Sequence, residues 1–139
     1  MMDKLSPARR SWNMSRIQSR NTKPEILVRS MLHRLGYRFR IHMQGLPGQP
    51  DIVLRRHLAI ILVHGCFWHR HKGCKLAYTP KSRLEFWERK FDENIRRDEE
   101  VMRELVKMGW RVLTIWECQI TDPKELQDRL IHFMKEEQE

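Results

Sequence analysis

The chain has 139 residues, a length that favours one domain of common size with enough chain to bury a core. Hydrophobic residues make up 40% and charged residues 32%, the balance of a soluble globular protein, and the longest apolar run, Leu58 to Val63, is far too short to cross a bilayer. Lys and Arg number 27 against 18 Asp and Glu, giving a net charge of +9, so the expected partner is a polyanion, with nucleic acid ahead of acidic small molecules and membrane surfaces. The first residues carry no apolar export segment and the three cysteines cannot all pair with one another, which points to a reducing cytoplasm.

Residues 1–21 read as a basic arm. Nine basic residues fall between Arg9 and Arg40 against a single acid, Glu25. Thr22-Lys23-Pro24-Glu25 then predicts a helix start, with Thr22 at the N-cap, Pro24 in the first turn and Glu25 in the capping-box position. Leu27, Val28, Met31, Leu32 and Leu35 recur at helical spacing up to a stop at Gly36. Tyr37, Phe39 and Ile41 alternate with Arg38, Arg40 and His42, the period of a strand with one wet face. After the turn 45–50, residues 51–54 and 58–63 predict two strands, and the unbroken apolarity of the second predicts a central strand covered on both faces. A loop over 64–81 precedes a long helix, roughly 82–108, with Leu84, Trp87, Phe91, Ile95, Met102 and Leu105 on its inward stripe. Residues 110–116 predict a further strand, and Asp122-Pro123 opens a last helix that turns Leu126, Leu130 and Phe133 inward. This order of elements describes an α/β fold, a mixed sheet flanked by helices, with residues 22–139 as the folded domain.

The loop holds most of the unusual chemistry. Cys66, His71 and Cys74 lie close together in sequence, and Cys118 follows the last predicted strand. Together they offer four soft donors for a tetrahedral site, and a Cys₃His set leaves no open position, so a zinc ion there would be structural and would pin the loop. The alternative is that Cys66 and Cys118 are small buried hydrophobes. Phe67-Trp68 sits between these donors beside a basic surface, where an aromatic pair can wedge between base steps; composition alone favours packing in the core. Of His64, His69 and His71 the metal needs one, and a spare imidazole is a general base near neutral pH. Asp51 opens one strand opposite another that ends at Val63-His64, an arrangement suited to holding Mg²⁺ against a phosphate, although Pro-Asp is also an ordinary turn.

Four segments carry a closer likeness: Leu46 to Asp51, His64 to His69, Arg83 to Trp87, and Gly109 to Cys118. Together the stretch from about Asn13 to Cys118 resembles the very-short-patch repair endonucleases, bacterial enzymes that nick one strand at T·G mismatches left in CT(A/T)GG-like contexts by deamination of 5-methylcytosine. The resemblance implies a restriction-endonuclease-like core. It implies magnesium on Asp51 and on the backbone carbonyl of Val63, His69 as the base, and Glu25 and His64 in the active site. It further implies structural zinc on Cys66, His71, Cys74 and Cys118, with Phe67, Trp68 and Met14 intercalating beside the mismatch. The implied partner is double-stranded DNA containing a T·G mismatch, with contact to the host mismatch-repair ATPase, and a single small nicking domain is expected to act as a monomer. Two departures stand out. Valine occupies position 63 where the best-known members carry threonine, in a strand without the acid and lysine many restriction-like nucleases place there. Lys72-Gly73 also adds one residue between His71 and Cys74. Two other classes fit the same residues, a restriction-type nuclease on matched DNA and a zinc-stabilised DNA-binding module that does not cut.

Overall fold

Residues 21–136 are described by the computed structural model; the basic arm up to residue 20, including Met14, lies outside the described residues. Helix α1 (Lys23–Arg34) begins as its sequence predicts, with the Thr22 hydroxyl accepting the Glu25 amide at 3.4 Å and Pro24 in the first turn. The capping box is modified: Glu25 reaches past the cap to accept the Asn21 amide at 3.2 Å. Val28, Met31 and Leu32 are buried, whereas Leu27 is exposed, because the inward stripe of this short helix spans only one side of each turn.

Strand β1 is only Arg40–Ile41, shorter than the alternation over 37–42 predicts. His42 adopts φ +46°, and this left-handed residue breaks the two-residue period. As a result Ile41 faces solvent and the His42 side chain, 11% exposed, turns inward. Strand β2 (Ile52–Leu54) follows, then a 3₁₀ turn over Arg55–His57 and strand β3 (Ala59–His64). Helix α2 (Leu84–Lys107) leads to strand β4 (Arg111–Trp116), a second 3₁₀ turn over Glu117–Ile120, and helix α3 (Pro123–Lys135), capped by Asp122.

The sheet order is β1-β2-β3-β4, antiparallel except for the β3–β4 pair, which runs parallel. The order of elements and the mixed sheet are those read from the sequence. Alternation along β3 explains why it is central: Ala59 and Ile61 join Ile52, Leu54 and Ile115 under α1 and α3, while Ile60 and Leu62 join Val53 and Leu105 under α2. Each fully buried Ile or Leu of this kind contributes roughly 1.5–3 kcal/mol of burial. Among the described residues no helix is long and apolar enough to cross a membrane.

Helix α2 departs from its predicted stripe. Phe91 and Leu105 are buried, but Leu84 and Ile95 are exposed. The face that meets the sheet and the loop runs through Phe91, Asn94, Asp98, Val101 and Leu105, alternating steps of three and four. Two polar residues in that stripe rotate the helix away from the purely apolar reading, and both bond to the loop.

The turn before Asp51 is pressed against α2. Gly48 has φ +72°, and a Cβ there would lie 2.7 Å from a methyl of Val101. Gly48→Ala is therefore expected to destabilise the fold by about 1–3 kcal/mol through overpacking and a disfavoured φ. Adding Val101→Ala should recover the steric part, and the two melting curves check it; an unchanged Tm for Gly48→Ala would contradict this packing.

Candidate active site and cysteine-histidine cluster

The cleft opens at the C-terminal end of β3, where Val63 meets Asp51, the residue just before β2. Its volume is about 690 Å³, and Glu25, Asp51, Val63, His64, Phe67, Trp68, His69 and Asp98 all line it, with Lys23 and Arg97 as its cations. Helix α1 supplies Glu25, the bend before β2 supplies Asp51, β3 supplies Val63 and His64, the loop supplies the aromatics and His69, and α2 supplies Asp98. Every described residue that the sequence nominates for catalysis is therefore in one cavity.

Asp51 is held by a 2.8 Å bond from the Val63 amide to its Oδ2. Burial pushes its carboxyl up to about 6, opposed by that amide, and the neighbouring Glu25 raises it further. A carboxylate so desolvated gains most from a cation, and the Glu25, His42 and Asp51 donor atoms all lie within 4.8 Å of one another. The site fits an oxygen-seeking divalent ion on chemical grounds. Glu25 is 5% exposed, and its Oε2 accepts from Arg29 at 2.8 Å and faces His42 Nε2 at 2.9 Å. Its charge is thus already paired, and it borders the cleft as a fixed acid.

His69 is placed by a helical turn in which its amide bonds to the Gly65 carbonyl at 3.1 Å. Its ring stacks flat on His64, centroids 3.8 Å apart, and its Nδ1 lies 2.6 Å from Asp98 Oδ2. Because a carboxylate only accepts, Nδ1 carries a proton, and in the neutral ring the lone pair is then on Nε2. His64 is a different kind of imidazole. Burial, reinforced by His69, pushes it down to about 4, so it is neutral at pH 7 and cannot serve as an acid. One turn before Asp98, Asn94 Nδ2 donates to the Trp68 carbonyl at 3.0 Å, so a single helix face holds both Trp68 and His69.

Phe67 and Trp68 are half-buried and line the cleft. Phe67 meets Trp68, Trp87 and Phe91 edge-on, with centroids 5.0, 5.5 and 5.3 Å away. Behind them lies the cysteine-histidine cluster. Cys66, His71, Cys74 and Cys118 present donor atoms within 4.8 Å of one another. His71 Nδ1 is 3.6 Å from Cys66 Sγ and 3.4 Å from Cys118 Sγ. A tetrahedral ion bonded to nitrogen at about 2.0–2.1 Å and sulfur at about 2.3 Å sets that separation at about 3.5 Å. The added Lys72-Gly73 does not prevent this, since Gly73 takes φ +68° and keeps Cys74 within reach. Burial pushes the Cys66 thiol up to about 12, so a cation is what would hold it as a thiolate, whereas the Leu76 amide lowers Cys74. His71 also stacks on Trp116 at 4.2 Å, and the Cys66 amide donates to Glu117 at 3.2 Å.

Sequence reasoning missed Asp98, Asn94 and His42. Asp98 and Asn94 were visible as polar residues four apart on the Phe91–Leu105 face of a helix. His42 had no such signal, because its inward turn depends on one backbone angle.

Residues 2–76 match the family described as DNA mismatch endonuclease Vsr. The chain is 48% identical over 130 residues to the type II nicking enzyme V.XorIIP of Xanthomonas oryzae pv. oryzae, covering 94% of this chain and 95% of that protein. It is 40% identical over 131 residues to the DNA mismatch endonuclease Vsr of Escherichia coli K12, covering 94% and 83%, and 38% identical over 136 residues to the type II nicking enzyme V.NmeAIP of Neisseria meningitidis, covering 98% and 96%.

Because the folded-state pKa of Asp51 lies above the ordinary carboxylate value, its contribution favours folding at low pH and is lost as pH rises from about 4 through about 6. In EDTA at pH 7.5, Asp51→Asn should be more stable than the parent by up to about 3 kcal/mol, an advantage that shrinks as pH falls from about 6 towards 4. Mg²⁺ should raise the Tm of the parent and not of the variant. A variant less stable at pH 7.5 would contradict the electrostatics of this site.

Proposed function

The chain belongs to the DNA mismatch endonuclease Vsr family and is a DNA endonuclease, and from that premise we propose that it nicks one strand of a duplex 5′ to the thymine of a T·G mismatch, the first step of repairing deaminated 5-methylcytosine. The observation that carries the reading is the gathering of Asp51, the Asp98-oriented His69 and the Phe67-Trp68 pair into one cleft beside a Cys₃His cluster.

In this proposal the basic residues neutralise DNA phosphates and give salt-sensitive binding. Phe67 and Trp68 then test the stack, and a wobble pair yields to them more readily than a matched one, so deformability becomes selectivity. Met14, on the arm, would insert from the opposite side. Asp51 and the Val63 carbonyl would hold Mg²⁺, which when bound would supply charge neutralisation at the phosphate. Only the backbone oxygen is needed at position 63, so valine serves as threonine does. His69 Nε2 takes a proton from water, and Asp98 stabilises the imidazolium that results, as a positioning residue. Neutral His64 stacks against that ring and keeps it flat. Glu25, with its charge already paired, fixes the wall beside Asp51. Cys66, His71, Cys74 and Cys118 would hold zinc as a structural ion that pins the aromatic loop. The enzyme is read as a cytoplasmic monomer, and the arm over 1–21 as part of its DNA grip. Contact with the host mismatch-repair ATPase belongs to the same proposal.

Purified protein with Mg²⁺ on duplexes carrying T·G or C·G at one position, in several contexts including CTAGG and with each strand labelled separately, tests the reading. The expected result is a nick only in the mismatched duplex and only 5′ to the thymine, abolished by EDTA, with Asp51→Ala still binding DNA. Equal cutting of matched DNA would make the chain a restriction-type nuclease. Binding with no cutting in any context would make it a DNA-binding module.

A further inference from the structure

The loop over 66–79 has a second clamp besides the cysteine-histidine cluster. Arg70 sits between the base and a cluster donor, at φ +54°, a left-handed conformation that a non-glycine residue keeps only when its surroundings over-determine it. The Arg70 guanidinium sits over the Phe91 ring, with its central carbon 3.8 Å from the ring centroid. Its NH1 donates to the Phe67 carbonyl at 3.2 Å and to the Tyr78 carbonyl at 3.1 Å, and its NH2 donates to the Ala77 carbonyl at 3.1 Å. One side chain therefore binds the backbone of the first cleft aromatic, the far limb of the loop, and the α2 ring against which Phe67 packs.

We propose that Arg70 is a positioning residue for mismatch recognition, holding Phe67-Trp68 in the orientation that enters the base stack by tying the Phe67 carbonyl to the 77–78 segment and to Phe91. This rests on the reading of the pair as a wedge. A wedge transmits strain into DNA only if its own backbone does not yield, and the cluster donors at 66, 71 and 74 do not anchor the limb beyond residue 74. Arg70 supplies that anchor with a planar group, which bonds two carbonyl directions and stacks on a ring at once; lysine, a single compact donor centre, cannot do all three. Asn94 holds the Trp68 carbonyl from the other side, so the pair is gripped at each of its two carbonyls by a different neighbour.

The test compares the parent with Arg70→Met, which keeps an apolar stem over Phe91, and Arg70→Lys. Three quantities are measured: fluorescence of 2-aminopurine beside a T·G pair with Ca²⁺ in place of Mg²⁺, nicking of T·G and C·G duplexes below and above saturation, and zinc content. The expected result for Arg70→Met is full zinc, loss of most of the fluorescence rise, and a drop of about tenfold in T·G over C·G discrimination, expressed mainly below saturation. Arg70→Lys should fall between the two. A merely structural role would lower Tm and leave the discrimination ratio alone, and that outcome in either variant overturns the inference. If the parent itself shows no fluorescence rise and no discrimination, the wedge reading fails first and takes this inference with it.

Discussion

The parallel pairing of β3 with β4, from Ala59 opposite Arg111 to His64 opposite Trp116, is the constraint on which both halves of the site depend. Because the strands run the same way, their C-terminal ends emerge side by side. One end delivers Val63, His64 and Cys66, and the other delivers Trp116, Glu117 and Cys118. The cysteine-histidine cluster can close only across that junction, since Cys118 is far from the other three donors in sequence. The Glu117 bond to the Cys66 amide and the Trp116 stack on His71 tie the same two ends together. Any slip in the β3–β4 register would part the donors and turn His64 away from the cleft.

Helix α2 crosses the same end of the sheet and completes the arrangement from the other face. Its Phe91–Leu105 stripe packs on β3 below and grips the loop above, through Asn94 to Trp68 and Asp98 to His69. Packing and chemistry thus share one helix face. The cleft also separates its ionisable groups by environment. Asp51 is desolvated and eager for a cation, Glu25 is already paired, His64 is neutral, and His69 has one nitrogen committed and one free. Such divergence among neighbouring groups is what the proposed division of roles between a metal-holding carboxylate and a base requires.

Much of this was legible in the residues themselves. Thr22-Lys23-Pro24 marked the start of α1, the apolar run before His64 marked the central strand, and Asp122-Pro123 marked the last helix, because capping and periodicity are local signals. The cysteine-histidine spacing likewise foretold a cluster that the fold does assemble. Three things were not legible. His42 reverses the alternation of β1 through a single φ value, which no pattern of side chains records. Leu84 and Ile95 looked inward on α2 because the true stripe contains Asn94 and Asp98, and a polar residue facing a loop reads as a residue facing water. Arg70 gave no signal in the sequence, since the carbonyls it bonds are brought near only by folding.

In the proposed mechanism an ionised, desolvated Asp51 receives the divalent ion that nicking would require. If so, protons and Mg²⁺ compete for one carboxylate, and the competition is visible in the rate. Single-turnover nicking of a T·G duplex should be measured from pH 5 to 8 at several Mg²⁺ concentrations. The account predicts an acid limb that lies near pH 6 when Mg²⁺ is limiting and moves to lower pH as Mg²⁺ is raised. An acid limb that stays fixed at every Mg²⁺ concentration, or a rate that does not change across this range, would contradict it.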